Sequence, residues 1–308
     1  MRRIVGIIIF ALGFLLLLAG IMKVVQGVIG FGILAVFLGL VIFGLSFIPR
    51  PDPGPDAPPP LSPADRITGV FYEPDRVFKN LRHYPRWLAA FLVLVVFSLT
   101  YQIAFTQRLT PEKIAGETAD RIIEGGWLQN SNISPEEFKR MRIEEAKAPV
   151  SRITGALSFV GWTFIFMLVL AGLYMLGVLA FGGRINFWQS LSVATYGSLP
   201  PVVILTILNL ILLYTKAPED IDSIRGARGL ARADLGLLFS PETHPTLFVI
   251  GSFIGIFSLY GWWITVSGLH NTATKLSKAS AWTIALLLWL LGLVIAIVLS
   301  SIFSSFMR

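Results

Sequence analysis

The sequence predicts an all-α membrane protein, a polytopic transmembrane helical bundle of about seven spans. Of 308 residues, 55% are hydrophobic and only 14% are charged, where a soluble domain carries about 25% charged residues. The mean hydropathy is +0.73. Seven runs also lack Asp, Glu, Lys, Arg and His, at 4–22, 24–48, 87–106, 153–182, 187–214, 246–269 and 279–303. A helix needs roughly 20 apolar residues to cross the hydrocarbon core. The run at 153–182 exceeds that need and is expected to tilt or to extend past the headgroups.

The first run follows Arg2 and Arg3, as a signal peptide would. Its apolar stretch is too long for a signal core, and no small-x-small cleavage pattern precedes Lys23, so a retained anchor is expected. Runs 4–22 and 24–48 then form an N-terminal transmembrane hairpin over residues 1–48. Gly6, Gly13, Gly20 and Gly27 recur every seventh residue, and the first three share one stripe. In lipid, small residues let helix backbones approach closely. The stripe therefore reads as a packing face, either inside the chain or between two copies.

Residues 49–63, PRPDPGPDAPPPLSP, form a Pro-rich cytoplasmic linker that is extended and semi-rigid. Such runs can also bind SH3 or WW modules. The linker separates the hairpin from a larger domain over 64–308.

Residues 69–87 read GVFYEPDRVFKNLRHYPRW. Pro74 suits a first helical turn and Pro85 an end, so a helix is expected over 74–84. Val77, Phe78 and Leu81 share one face, with Val70 and Phe71 shortly before. Arg76, Lys79 and Arg82 take much of the rest, followed by Arg86. The pattern reads as a basic amphipathic helix in the membrane interface, its apolar face among acyl chains and its bases toward anionic headgroups. Trp87 would anchor the next span at headgroup depth. A soluble partner docking on the aromatic face is the alternative.

The loop 107–152 is expected to be folded and extracytoplasmic. Thr110-Pro111-Glu112 marks a helix start and Gly125-Gly126 its end. Ser134-Pro135-Glu136-Glu137 marks a second start, with Glu136/Arg140 and Arg140/Glu144 pairs behind it and Pro149 at its close. Asn132-Ile133-Ser134 fits a glycosylation acceptor, weakened by the following Pro135.

The span 187–214 contains Thr-Tyr-Gly-Ser-Leu-Pro-Pro at 195–201. Two prolines remove two backbone donors and should kink or break the helix. Broken helices mark transport sites in some carriers. Tyr196, Ser198, Pro200, Pro201 and Asn209 are the candidate cavity residues. A plain kink patched by Ser198 or Thr195 is the alternative. Residues 215–245 read as an irregular loop lying partly on the membrane surface. The span 246–269 carries Gly251-x-x-x-Gly255, a second close-packing signal.

Orientation follows the Lys/Arg bias of the shortest segments. Arg2 and Arg3, the bases at 76–86, Arg184, Lys275 and Lys278 all favour a cytoplasmic N-terminus and, with seven spans, an extracytoplasmic C-terminus in the cell membrane. The net charge of +7 suits anionic lipid in so apolar a chain, with no nucleic acid expected.

Chemistry is sparse. With no cysteine, thiol catalysis, disulfides and Cys-based zinc sites are excluded. His83, His244 and His270 have no ligand-like spacing, so no metal is expected. There is no nucleophile elbow, P-loop or dinucleotide fingerprint. The spans hold no ionisable group for an intramembrane enzyme or a proton-coupled pump. No catalytic residue and no cofactor is expected.

Several short motifs bear on family. They are Phe71-x-x-Pro74-x-x-x-Phe78-x-x-Leu81-x-x-x-Pro85-x-Trp87-Leu88, then Phe181-Gly182-Gly183-Arg184 leading to Phe187. Next come Ser192-Val193-Ala194-Thr195-Tyr196-Gly197-Ser198-Leu199-Pro200 and Phe257-Ser258-Leu259-Tyr260. Together they resemble bacterial Yip1-domain proteins over roughly residues 64–303, with Tyr260 where that family usually has Trp. The resemblance implies five transmembrane helices with the N-terminal side cytoplasmic. Eukaryotic relatives are associated with vesicle traffic, Rab-type GTPases and membrane shaping. The function expected is therefore non-enzymatic: membrane organisation, scaffolding or a trafficking-like role, through lipids, a membrane protein partner or a homo-oligomer. The alternative is a small-molecule or lipid carrier using the Pro-bearing fifth helix.

Overall fold

The computed structural model describes residues 2–25, 27–54, 57–128, 133–240 and 243–302. Every regular element among them is helical, and only two isolated β-bridges occur. Asn132, the expected glycosylation acceptor, lies outside the described residues.

Helix α1 (Arg2–Ile21) and α2 (Ile29–Leu45) form the expected hairpin. The turn takes Lys23 and Gly27 through positive φ, 57° and 78°. The glycine stripe is spent inside this hairpin. A Cβ on Gly13 would lie 2.5 Å from the backbone nitrogen of Val36, and one on Gly6 would lie 2.7 Å from that of Phe43. Gly20 faces Ile29. The stripe is thus covered by α2, and a second copy would need another face. On its far side α2 rests on α8, with Leu34 and Leu38 over Gly161.

The Pro-rich segment runs back along the domain. Asn80, buried at 4% exposure, clamps it by donating from Nδ2 to the Pro59 carbonyl (3.0 Å) and accepting from the Leu61 N–H (3.2 Å). Ser62 then caps α3 (Pro63–Tyr72) by accepting from the Asp65 N–H, with Pro63 at the first helical position. Helix α4 (Pro74–His83) follows after Glu73.

Helix α5 (Leu88–Leu109) crosses to the other end of the bundle. There α6 (Pro111–Glu124) and α7 (Pro135–Lys147) start at the caps the sequence predicts, Thr110 and Ser134. Their ion pairs differ from the expected ones. Lys139 binds Asp120 of α6 at 2.8 Å, because α7 packs on α6, and Arg142 binds Glu145 at 2.7 Å within α7. Helix α8 (Pro149–Ala180) returns, and a turn through Gly182 at φ +74° leads into α9 (Phe187–Thr215). Asn186 and Gln189 form a capping box at its start.

Helix α9 is the central strut, packed on α5, α8 and α12. It is continuous through Pro200 and Pro201, which corrects the expected break. A proline in a helix removes one backbone bond and costs about 3 kcal/mol. Here the stretch 190–197 is buried on all sides, so tertiary packing holds the helix together. Ser192 and Thr195 donate back to the carbonyls of Trp188 and Leu191.

After α9, α10 (Ser223–Arg228) and a 3₁₀ turn (Leu235–Leu238) fill the segment read as a loop. The expected span 246–269 is the one that breaks. It divides into α11 (Pro245–Ser252) and α12 (Ile256–Thr272), with Gly255 extended at φ −149°, ψ 166°. The reason is a backbone intrusion. The Leu235 N–H donates to the Ile254 carbonyl (3.0 Å), and the Ile256 N–H donates to that of Ala233 (3.1 Å). Gly251 and Gly255 make room for this strand-like pairing, since a Cβ on either would lie 2.7 Å from the backbone of 233–236. These glycines admit a loop, not a second helix. Trp289 on α13 (Lys278–Ile302) donates to the Phe253 carbonyl (3.2 Å) and satisfies another group freed at the break.

Among the described residues five helices are long and apolar enough to cross a membrane: α1, α5, α8, α9 and α13. Helix α2, with 17 residues, is shorter.

Candidate functional site

Two regions bring polar groups together. The first is the end of the bundle that holds α3 and α4. The apolar face of α4 docks on protein, which corrects the picture of a face immersed in acyl chains. Phe78 and Leu81 are 0% exposed, and Val77 is 1%. They join the main core with Trp188, Leu191, Val193 and Leu269. The Phe78 ring lies against Gly268 of α12, where a Cβ would come within 3.1 Å of it. Asp75 fastens the same contact, accepting from Ser267 Oγ (2.5 Å) and Asn271 Nδ2 (2.9 Å).

The bases point the other way. Arg76, Lys79, Arg82 and Arg86 are exposed. Arg76 pairs with Glu73 at 3.0 Å. Lys79, Arg82 and Lys275 border one shallow cup of about 570 Å³ with His270 and Asn271. Trp87 is half-buried and stacks on Phe164, 5.6 Å between centroids, so it is anchored against protein. Phe71 is also half-buried against the core, and its carbonyl accepts from the Tyr260 hydroxyl at 3.0 Å.

Beneath this platform Arg66 is 1% exposed, and its Nε and Nη1 have no hydrogen-bond partner among the described residues. Burial, with the like charge of Arg86, lowers its pKa from the usual guanidinium range. The sequence offered one sign of it: Arg66 lies four residues before the fully buried Val70 and so shares its face.

The candidate cavity residues of α9 do not converge. Tyr196 is 0% exposed, and Pro200 is also buried. Ser198 and Pro201 are half-buried, Pro201 against Gly261. Asn209, toward the other end of α9, does line a cavity of about 720 Å³ with Arg225, Arg232, Asp234, Phe248 and Ser300. It is 8% exposed, and its Oδ1 accepts from the N–H groups of Leu230 and Ala231, both at 2.6 Å. Arg225, Arg232 and Asp234 are functional candidates that the sequence does not single out, because they sit in a segment without periodicity.

A sequence profile of the Yip1 domain matches residues 68–299. The chain belongs to the Yip1 domain family. The match starts in α3 and runs into α13, so it takes in the platform, the central strut and the broken span, and it leaves the N-terminal hairpin outside. No curated protein and no solved structure matches the chain. Within this Yip1 domain the two polar regions lie at opposite ends of α9, and the core between them is apolar. It is a multi-pass membrane protein.

Proposed function

We propose that this Yip1-domain protein is a non-catalytic organiser of the bilayer, holding anionic headgroups or acidic partner segments at its α4 end. One observation carries the reading. The apolar face of α4 is consumed by the core, so Lys79, Arg82 and Lys275 are presented on a rigid surface beside the ends of α5, α9 and α13. Each such base contributes about 1 kcal/mol near an anionic leaflet. The same bases support a cytoplasmic placement of this end, and of the N-terminus, in the cell membrane.

The test is lipid enrichment around the protein in mixed anionic and zwitterionic nanodiscs. Reversing Lys79, Arg82 and Lys275 to Glu should abolish the excess of anionic lipid. An undiminished excess overturns the reading.

A carrier is the second reading, favoured by the cavity at Asn209. Tyr196 and Pro200 are packed and do not extend that cavity toward the α4 end, so a carrier would need α9 to move. Proteoliposome flux that responds to filling this cavity would support it.

A further inference from the structure

The cavity at Asn209 has a composition that specifies its occupant. Its donors outnumber its acceptors. Arg232 lies with its guanidinium 4.8 Å from the Phe248 ring centroid and has no carboxylate within ion-pair distance among the described residues. Arg225 also borders the space, 4.0 Å from Asp222. Asn209 Nδ2 makes no hydrogen bond among the described residues, whereas its Oδ1 is fully engaged. Asn209 borders the cavity, so this amide donor is available to an acceptor on a bound ligand. The one carboxylate lining the space among the described residues, Asp234, accepts from the Gly236 N–H through Oδ1 and faces two arginines, Arg225 and Arg232, across the same lining.

The rest of the wall is mostly apolar, with Leu205 of α9, Phe253 at the break between α11 and α12, and Leu299 of α13. Depth agrees with chemistry. Asn209 lies about 33 Å along α9 from Phe187 at 1.5 Å per residue, against a hydrocarbon core about 30 Å thick. The donors therefore sit at the boundary between headgroups and acyl chains. Beside them Leu237 and Leu238 are 62% and 75% exposed on the 3₁₀ turn, a surface suited to lipid and not to water.

We propose that this cavity is a binding site for one anionic phospholipid, with its phosphodiester at Arg232 and Asn209 and an acyl chain along Leu205 and Leu299. The site is independent of the α4 surface at the other end of the bundle.

The experiment is native mass spectrometry of the full chain in neutral detergent, titrated with phosphatidylglycerol or phosphatidylcholine. One phosphatidylglycerol should remain bound, at least tenfold more tightly than phosphatidylcholine. Arg232→Glu should weaken it tenfold or more, and Ala296→Phe should do the same by filling the chain channel. Lys79→Glu with Arg82→Glu should leave it unchanged. Should Ala296→Phe misfold, Leu299→Trp tests the same wall. Equal binding of the two lipids, retention in both wall variants, or full displacement by millimolar inorganic phosphate would each overturn the proposal. The last would show a free-anion site instead.

Discussion

Phe78 decides how α4 is held. Its side chain is fully buried between α4 and α12. An aromatic side chain buries about 150–250 Å², which at about 25 cal/mol per Å² corresponds to roughly 4–6 kcal/mol. Alanine keeps a small part of that, so Phe78→Ala should cost about 3–5 kcal/mol of docking free energy. With each 1.36 kcal/mol worth tenfold, amide protection across α4 should fall roughly 10²- to 10⁴-fold. Hydrogen exchange in nanodiscs reads this directly. Tyr72→Ala is the control: Tyr72 is 67% exposed, and its loss should move protection little. Charge reversal at Lys79 and Arg82 should also leave α4 docked, because those side chains touch no core group. The reasoning fails if Phe78→Ala leaves protection unchanged while charge reversal abolishes it. That pattern would mean the face rests in lipid after all.

Other perturbations probe separate contacts. Gly39 abuts the backbone of Phe10 with no room for a Cβ, so Gly39→Leu should separate α1 from α2 and lower the melting temperature by the equivalent of about 1–3 kcal/mol or more; an unchanged melt would count against the hairpin. Ser62→Ala removes the α3 cap at a cost of about 1 kcal/mol, readable as faster exchange at the amides of 64–66. Asp65 has its pKa lowered from the ordinary 3.8, first by the Ser62 hydrogen bond. Its contribution is therefore complete above the ordinary value and is lost as pH falls through the lowered one, so a pH titration of α3 exchange should show destabilisation only in strong acid, and less of it in Ser62→Ala. Arg66 has no carboxylate partner among the described residues, so Arg66→Met should be neutral or stabilising in a thermal melt; a loss above about 3 kcal/mol would show that the guanidinium has a bound counter-ion.

Length and polarity made most of the bundle legible. Runs free of charge become α1, α2, α5, α8, α9 and α13, because a span has no alternative to a helix in hydrocarbon. The caps Thr110 and Ser134 were equally legible, since each needs only the next three residues to act, whereas Ser62 reads as linker and its helix α3 is not expected from the sequence. Tertiary compensation was not. The two prolines of α9 signal a break that packing overrides, whereas the apolar, proline-free run at 246–269 breaks because a distant segment, 233–236, inserts beside Gly251 and Gly255. The same limit governs the sites. An amphipathic pattern shows that Phe78 and Leu81 must leave water, but not whether lipid or protein receives them. The cavity at Asn209 is invisible to any local pattern, because its donors come from α9 and from the irregular segment that follows.

Two of these differences, the broken span and the polar cavity, share one cause, and it bears on function. Both surprises lie in the far half of the domain: the break in the span and the polar cavity are built by one intrusion of the 229–239 segment. A fold needing only stability could have kept a straight helix over 246–269, at no cost in hydrogen bonds. Instead three outside groups, the Leu235 N–H and Trp289 Nε1 as donors and Asn209 Oδ1 as acceptor from the Leu230 and Ala231 N–H groups, are each placed to hold the intrusion open. Removing the Trp289 indole N–H while keeping an aromatic ring, Trp289→Phe, should therefore loosen lipid binding at the cavity without disturbing the α4 end. Loss at both ends would make the break a global weakness, and loss at neither would leave the intrusion without a role in the site.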